Sequence, residues 1–256
     1  MSVATAAGRF DLGGRVVVVT GASKGIGREL TILLAETGAV VVPTVRTDAD
    51  AASLASEAQS RALTVHPQGL DVRDVASITE AVSRIVAAHG RIEVLVNNAG
   101  LGFARAAFDV TEADWDEMMA VNLRGAFFMS QAVAREMAAA GRGGRIVNIS
   151  SQGGLVGLPD AAVYCASKGG LNMMTKTLAL EWAKDAITVN AIAPTFIYTP
   201  GTAPILDEPA MAAVLGKIPL GQFALTDDVA GAIIYLASDA GRMVTGTVLV
   251  VDGGWT

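Results

Sequence analysis

The stretch that decides the fold is Arg15-Val16-Val17-Val18-Val19-Thr20-Gly21-Ala22-Ser23-Lys24-Gly25-Ile26-Gly27. Four consecutive valines suit a strand covered on both faces, because a half-exposed strand would alternate apolar with polar residues. Glycines at 21, 25 and 27 then allow a tight strand-to-helix turn, close approach of the backbone to a pyrophosphate, and close helix packing. The phosphate would sit at the positive N-terminus of a helix expected to run to about Gly38. An ordinary glycine-rich turn reads the same way, so the motif needs support from elsewhere in the chain. The second glycine is not followed by Lys-Ser or Lys-Thr, which disfavours a loop for nucleoside triphosphates.

Outward from this turn the same alternation recurs. Short apolar runs at Val40–Val45, Leu63–Leu70, Ile92–Asn97, Arg145–Ser150, Ile187–Ile192 and Val248–Val251 are separated by helix-length amphipathic segments. The pattern predicts an α/β fold: a doubly wound parallel sheet of about seven strands with helices on both faces. No repeat, low-complexity tract or charge block offers a linker, so one domain over residues 1–256 is expected. In such a sheet the ligand site lies at the carboxyl ends of the strands, where their order reverses. Pro43 fits a central strand poorly because it lacks an amide donor, and a bulge is expected there.

Composition narrows the chemistry. Of 256 residues, 19 are Lys or Arg and 25 Asp or Glu, giving a net charge of −6. That balance argues against non-specific binding of nucleic acid or anionic membrane. Mean hydropathy is +0.45, and the longest uncharged stretch, Ala186–Leu206, could span a bilayer on length alone. Pro194, Pro200 and Pro204 would break such a helix, so a buried strand and a loop are expected instead. Met1–Asp11 lacks a basic n-region and an apolar core, so no secretory signal is visible and a cytoplasmic location is expected. Cys165 is the one cysteine, and His66 and His89 are the only histidines. A Cys/His metal site and a histidine-based triad are therefore disfavoured, and no metal is expected.

The residues following each strand carry the chemistry. The second strand ends in Val45-Arg46, a base where an NAD-binding strand would carry a carboxylate for the ribose hydroxyls; Lys24 approaches from the glycine turn. Either could be a solvated surface cation, but their convergence in an acidic chain favours NADP(H) over NAD(H). Asp48 and Asp50 lie late for the ribose position. Asp71-Val72 could bracket the adenine, or Asp71 could cap the next helix. Small polar residues, Asn97-Asn98-Ala99-Gly100, follow the fourth strand. Asn122, within an apolar helical stretch, needs buried partners.

Beyond the fifth strand stand Ser151, then Tyr164 and Lys168 at i, i+4 on one helix face. A free phenol titrates near ~10, and a neighbouring cation favours the phenolate. Lys168 and an oxidised nicotinamide would thus bring Tyr164 toward neutral pH as a general acid and base. An isolated Tyr-x-x-x-Lys is more often a packed ring with a snorkelling lysine, so the pair gains meaning only from its company. Cys165 points to another side of the helix and has no histidine to activate it; a packed apolar role is expected. Asp114-Trp115-Asp116-Glu117 reads as a solvated helix start.

In this combination the chain resembles the short-chain dehydrogenase/reductase family, whose marks are TGxxxGxG, NNAG, a helical Asn, a Ser and Tyr-x-x-x-Lys in that order. They stand here as Thr20–Gly27, Asn97–Gly100, Asn122, Ser151 and Tyr164 with Lys168, and the likeness runs from Thr20 to Gly254. The resemblance implies a single-domain Rossmann fold in which Tyr164 exchanges a proton with the carbonyl oxygen while hydride moves at the nicotinamide. It further implies that Ser151 holds that oxygen, that Lys168 binds the ribose hydroxyls and lowers the Tyr164 pKa, and that Asn122 places a proton-relaying water. Gly21, Ser23, Gly25, Ile26, Gly27, Asn98, Ala99 and Gly100 would line the cofactor. Pro194, Ile197 and Thr199 correspond to a Pro-Gly-x-Ile-x-Thr stretch at the carboxamide, with Thr195 departing from the usual glycine and leaving that loop's geometry open. A homotetramer is the family expectation.

Substrate choice is expected in Gly153–Asp160 and in a lid over about 195–217 rich in Phe196, Tyr198, Ile205, Leu206, Met211, Val214 and Leu215. No Lys or Arg lies between Arg145 and Lys168, or between Lys184 and Lys217, so a neutral ketone, alcohol, sugar or polyol is favoured. Leu178–Ala183 resembles gluconate and polyol dehydrogenases more than acyl-carrier-protein reductases, which leaves a 3-oxoacyl-thioester reductase as the enzymatic alternative. A non-catalytic NADP(H)-binding sensor is the alternative of another class, and it has no need of an activated phenol.

Overall fold

The valine run becomes β1, Val16–Val19, with all four residues buried. Val17 and Val19 enter one apolar core, with Leu30, Leu34, Val229 and Ile233; Val16 and Val18 enter a second, with Ile78, Ile85, Met129 and Val133. Side chains alternate across a strand, so a run apolar at every position serves two cores at once. The computed structural model describes residues 5–256, so the expectation drawn from Met1–Asp11 falls partly outside the described residues.

Seven strands form one parallel sheet: β1, β2 (Val40–Val45), β3 (Gln68–Gly69), β4 (Val94–Asn97), β5 (Gly144–Ile149), β6 (Ile187–Pro194) and, after a separate two-stranded pair of β7 (Ile197–Tyr198) and β8 (Ala224–Leu225), β9 (Val248–Val251). The sheet order is β3-β2-β1-β4-β5-β6-β9, so the winding reverses between β1 and β4. Helices α1 (Gly25–Glu36), α2 (Asp48–Ser60), α3 (Val75–His89), α4 (Glu112–Met119), α5 (Ala126–Ala140) and α6 (Ala162–Trp182) connect the strands. Two short helices, α7 (Ala203–Leu206) and α8 (Ala212–Leu215), fill the expected lid, and α9 (Thr226–Ala237) completes the set. This is the predicted single-domain Rossmann-like architecture.

Local signals set the helix ends. Thr47 accepts from Asp50 N, Asp74 from Ala76 N, and Thr111 with Asp114 forms a reciprocal capping box. Asp71 is therefore not the cap of α3.

Three expectations about strands need correction. Pro43 sits without a bulge in regular register opposite Val19. Val41 O and Val45 O accept from His66 N and Leu70 N on the β3 side, whereas Val40 N and Thr44 O bond toward β1. Position 43 thus turns its missing donor toward the β3 flank, the edge side where pairing is sparse: Thr44 and Val45 pair with β3, and Val41 makes an isolated bridge. The third run is eight residues in sequence but only two in the sheet, joined by an isolated bridge between Val41 and Val65. Pro67 within it removes a further donor. Thr195, whose departure from the usual glycine left the loop geometry open, has no positive φ, and its N–H donates to Val251 O.

Among the described residues no helix is long and apolar enough to cross a membrane, and no cluster of three or more His, Cys, Asp or Glu could hold a metal. His66 and His89 meet edge to face at 4.8 Å, and burial, aided by His66, pushes His89 below its usual pKa.

Candidate active site

The switch point between β1 and β4 is stitched shut by Asn98, whose Nδ2 donates to Thr20 O at 2.9 Å and to Gly21 O at 3.1 Å. Gly21 has φ +69°, and a Cβ there would lie 2.7 Å from Ala99 Cα, so only glycine fits. At Gly27 a side chain would strike Gly21 O and the Asn98 amide. Asn98 and Ala99 thus hold the turn against the neighbouring strand, which is how they serve any ligand bound there.

The N-terminus of α1 has no side-chain cap and no acidic residue in its first turn, while Gly25 faces open space. Its free N–H groups and dipole fit a pyrophosphate. Gly21 N and Ala22 N bond to Thr44 at the end of β2, so the loop carrying Lys24 is tied to the strand carrying Arg46. Both cations are exposed, and neither has an ion-pair partner among the described residues.

Across the switch point, Ser151 follows β5, and its Oγ accepts from Gly153 N at 3.0 Å. Tyr164 lies in the first turn of α6, near the positive end of that helix, with its ring against Gly102 and Gly153. Lys168, one turn further along, is buried; its Nζ donates to Ile149 O at 2.8 Å and lies 5.8 Å from the Tyr164 ring centre. An ammonium has three donors, and among the described residues only this one bond is satisfied by protein, which leaves room for a diol such as a ribose. Gly100 forms the roof, since a Cβ there would lie 3.6 Å from Lys168 Nζ.

The electrostatics differ from the sequence expectation in one respect. Burial pushes the Tyr164 phenol above its ordinary value, with the Ser151 hydroxyl opposing. Burial also depresses the Lys168 ammonium, to about 8, while its Nζ is turned to Ile149 O.

Asn122 lies in a π-helical turn, Ala120–Gly125, between α4 and α5. Such turns interrupt regular hydrogen bonding and often mark functional positions. Both side-chain donors are used, Nδ2 donating to Leu101 O and Ser167 Oγ, while Oδ1 accepts from Leu101 N and keeps one lone pair. A water held by Asn122 would therefore donate to a carbonyl oxygen, that of its side chain or of its main chain. Pro194 ends β6 beside Val251, Ile197 is buried in β7, and buried Thr199 binds Thr202 at the lid's hinge.

A family model described as enoyl-(acyl carrier protein) reductase matches residues 21–256, and the relatives match over nearly their full length. A 3-oxoacyl-[acyl-carrier-protein] reductase of Thermotoga maritima is 44% identical over 243 residues, 95% of this chain and 98% of the relative. The chain belongs to the short-chain dehydrogenase/reductase family. It is an oxidoreductase of that family. An NAD-dependent glycerol dehydrogenase of Listeria innocua is 39% identical over 254 residues, 96% of each chain. The crystal structure of a gluconate 5-dehydrogenase from Burkholderia cenocepacia in complex with NADP and tartrate is 37% identical. It covers 96% of this chain and 97% of its own, with a TM-score of 0.91.

Sequence reading missed two parts of this dehydrogenase/reductase site. The first is a buried polar chain beneath it: Asn97 Nδ2 donates to Ser130 Oγ and Asn148 Oδ1, each at 2.8 Å, and Asn148 Nδ2 donates to Thr175 Oγ1 at 2.9 Å. Asparagines ending two adjacent apolar strands were the available signal. The second is Gln152, next to Ser151, only 1% exposed and with neither amide atom hydrogen-bonded to any described residue. A long amide among glycines was the clue.

Proposed function

We propose that the protein is an NADP(H)-dependent dehydrogenase/reductase for a neutral hydroxylated ketone, sugar or polyol. The observation carrying this reading is the convergence of Ser151, Tyr164 and singly satisfied Lys168 at the strand ends, beside an uncapped helix and a glycine turn. When bound, the nicotinamide supplies or accepts the hydride. Tyr164 Oη gives its proton to the carbonyl oxygen in reduction and takes one from the alcohol in oxidation. The Ser151 hydroxyl fixes that oxygen, and Lys168 Nζ binds the ribose hydroxyls and supplies the positive charge beside the phenol. A water on the Asn122 carbonyl returns the proton from solvent.

Lys24 and Arg46 support NADP(H) over NAD(H), since a 2′-phosphate on an acidic chain needs local cations. Arg46→Asp is expected to raise the Kd for NADPH by about ten- to hundredfold, the worth of a charge-assisted contact, while NADH binding holds or improves. Titrating both dinucleotides checks this; a native preference for NADH would remove the NADP assignment.

A neutral, hydroxyl-rich substrate is favoured because no Lys or Arg lies between Arg145 and Lys168 or between Lys184 and Lys217, and because Gln152, beside Ser151, carries a buried amide whose N and O have no partner among the described residues. Gln152→Leu is expected to raise KM for a ketose or polyol several-fold with a smaller change for a simple ketone. Equal effects on both would remove Gln152 from substrate recognition.

The likeness to a 3-oxoacyl-thioester reductase favours a second reading, in which an acyl thioester is reduced. Comparing kcat/KM for a ketose, a polyol, a ketone and an acyl thioester with NADPH or NADP⁺ separates the two: the thioester should be the poorest, and a thioester preference would install the second reading.

Association into a homotetramer is part of the proposal. Met173 and Leu180, a heptad apart on α6, are 61% and 82% exposed, and Met243 near β9 is 81% exposed. Sedimentation at varied concentration should give a tetramer; a monomer would contradict it.

A further inference from the structure

At the end of the sheet away from Ser151 and Tyr164, where β1, β4 and β5 begin and α3 and α5 end, lies a cavity of about 460 Å³. Its walls combine apolar surface from Val86, Ile92 and Met137 with four arginines and three carboxylates, so four positive charges against three negative leave +1 in a chain whose total is −6. Two of the arginines are paired: Arg15 Nη2 reaches Asp239 at 2.8 Å, and Arg91 Nη2 reaches Glu93 at 3.0 Å. Arg142 and Glu136 are exposed to solvent.

Arg145, at the start of β5, is half-buried, and no carboxylate pairs with it among the described residues. Its guanidinium makes one hydrogen bond there, Nη1 to Gly144 O at 3.1 Å, and its buried Nε has no acceptor. Thr188, its register partner on β6, is 8% exposed with a hydroxyl that is likewise unpartnered among the described residues. Registered residues on neighbouring strands share a face, so two orphaned polar groups stand side by side. A cation at this end of a sheet ordinarily answers a carboxylate or the carbonyls closing a helix. Arg15 does both, since it also donates to Ala237 O at the end of α9, and Arg145 does neither. Burial draws Arg145 below the usual arginine pKa, and the charge of Arg15 adds to that effect.

A half-buried guanidinium without a counter-ion destabilises the fold that holds it, and an anion entering the cavity removes that cost. The uncompensated charge is one, and the surface beside it is apolar. We propose that this cavity binds an organic monoanion, a carboxylate carrying an apolar body of a few carbons, with Arg145 as its counter-ion. The site lies at the opposite end of the strands from the glycine turn and does not depend on the dinucleotide reading.

Calorimetric titration of the intact protein with hexanoate, hexanol and inorganic phosphate tests it, with melting temperatures measured in parallel. Hexanoate should bind and raise the melting temperature; phosphate should bind more weakly, and hexanol, of the same length but uncharged, weaker by about tenfold or more. Arg145→Met should raise the hexanoate Kd by about ten- to hundredfold, the worth of a charge-assisted contact, while the ligand-free variant melts at or above wild type. Arg145→Lys, which keeps the charge but not the planar fork, should fall between the two. Wild type that does not bind hexanoate, hexanol binding as tightly as hexanoate, phosphate binding more tightly, or an Arg145→Met Kd equal to wild type would each overturn the proposal. A ligand-free Arg145→Met protein melting well below wild type would also overturn it, by showing that the fold itself satisfies the guanidinium.

Discussion

Tyr164→Phe should abolish turnover while leaving NADPH binding near normal. The substitution removes one oxygen and retains the ring packed against Gly102 and Gly153, so the loss is of a proton donor and not of structure. General acid-base catalysis contributes ~100- to 10,000-fold, and kcat should fall by about that much. Because burial holds the wild-type phenol above its ordinary pKa, it is protonated through neutrality and competent as an acid. Reduction should therefore be flat near neutral pH and decline only as alkaline pH removes the proton. Oxidation, which needs the phenolate, should climb with pH, by about tenfold per pH unit where the phenol limits the rate. A neutral-pH maximum for oxidation would show that bound cofactor lowers the Tyr164 pKa further than its surroundings raise it. An unchanged rate in the variant would exclude Tyr164 as the proton donor.

Lys168→Met should lose activity and keep or gain stability. Lys168 is buried with a single protein acceptor, and burial already brings its pKa to about 8, so the fold bears the cost of an under-satisfied ammonium. A methionine of similar length fills the space without that cost. Two charge-assisted contacts to ribose hydroxyls are worth roughly 3–6 kcal/mol, so kcat/KM should drop by ~100-fold or more. Melting temperature and steady-state rate measured on the same preparation check both halves. A variant that is active, or one that melts well below wild type, would contradict the role assigned to Lys168.

What was legible in the sequence was whatever depends on spacing along one chain. Valines at four successive positions implied a strand between two cores, three glycines implied the turn, and the i, i+4 placement of Tyr164 and Lys168 implied a shared helix face. What was not legible depends on which way a group faces once neighbours arrive. Pro43 reads as a defect until its missing donor is seen to point at the β3 flank. The direction of the Tyr164 shift follows from burial, which spacing does not encode. Asn97, Asn148 and Thr175 come from three elements, so their buried chain exists only in the fold. Asp71 looked like a helix cap or an adenine contact; the cap of α3 is Asp74, and the Asp71 carboxylate accepts from Arg73.

Hydride transfer itself is the most direct test of the account. A single turnover with a ketose and NADPH deuterated at both C4 positions should place deuterium on the carbinol carbon of the product, and Tyr164→Phe should bind the same cofactor and transfer none. An unlabelled product, or no product from the wild-type protein across ketoses and simple ketones, would contradict it.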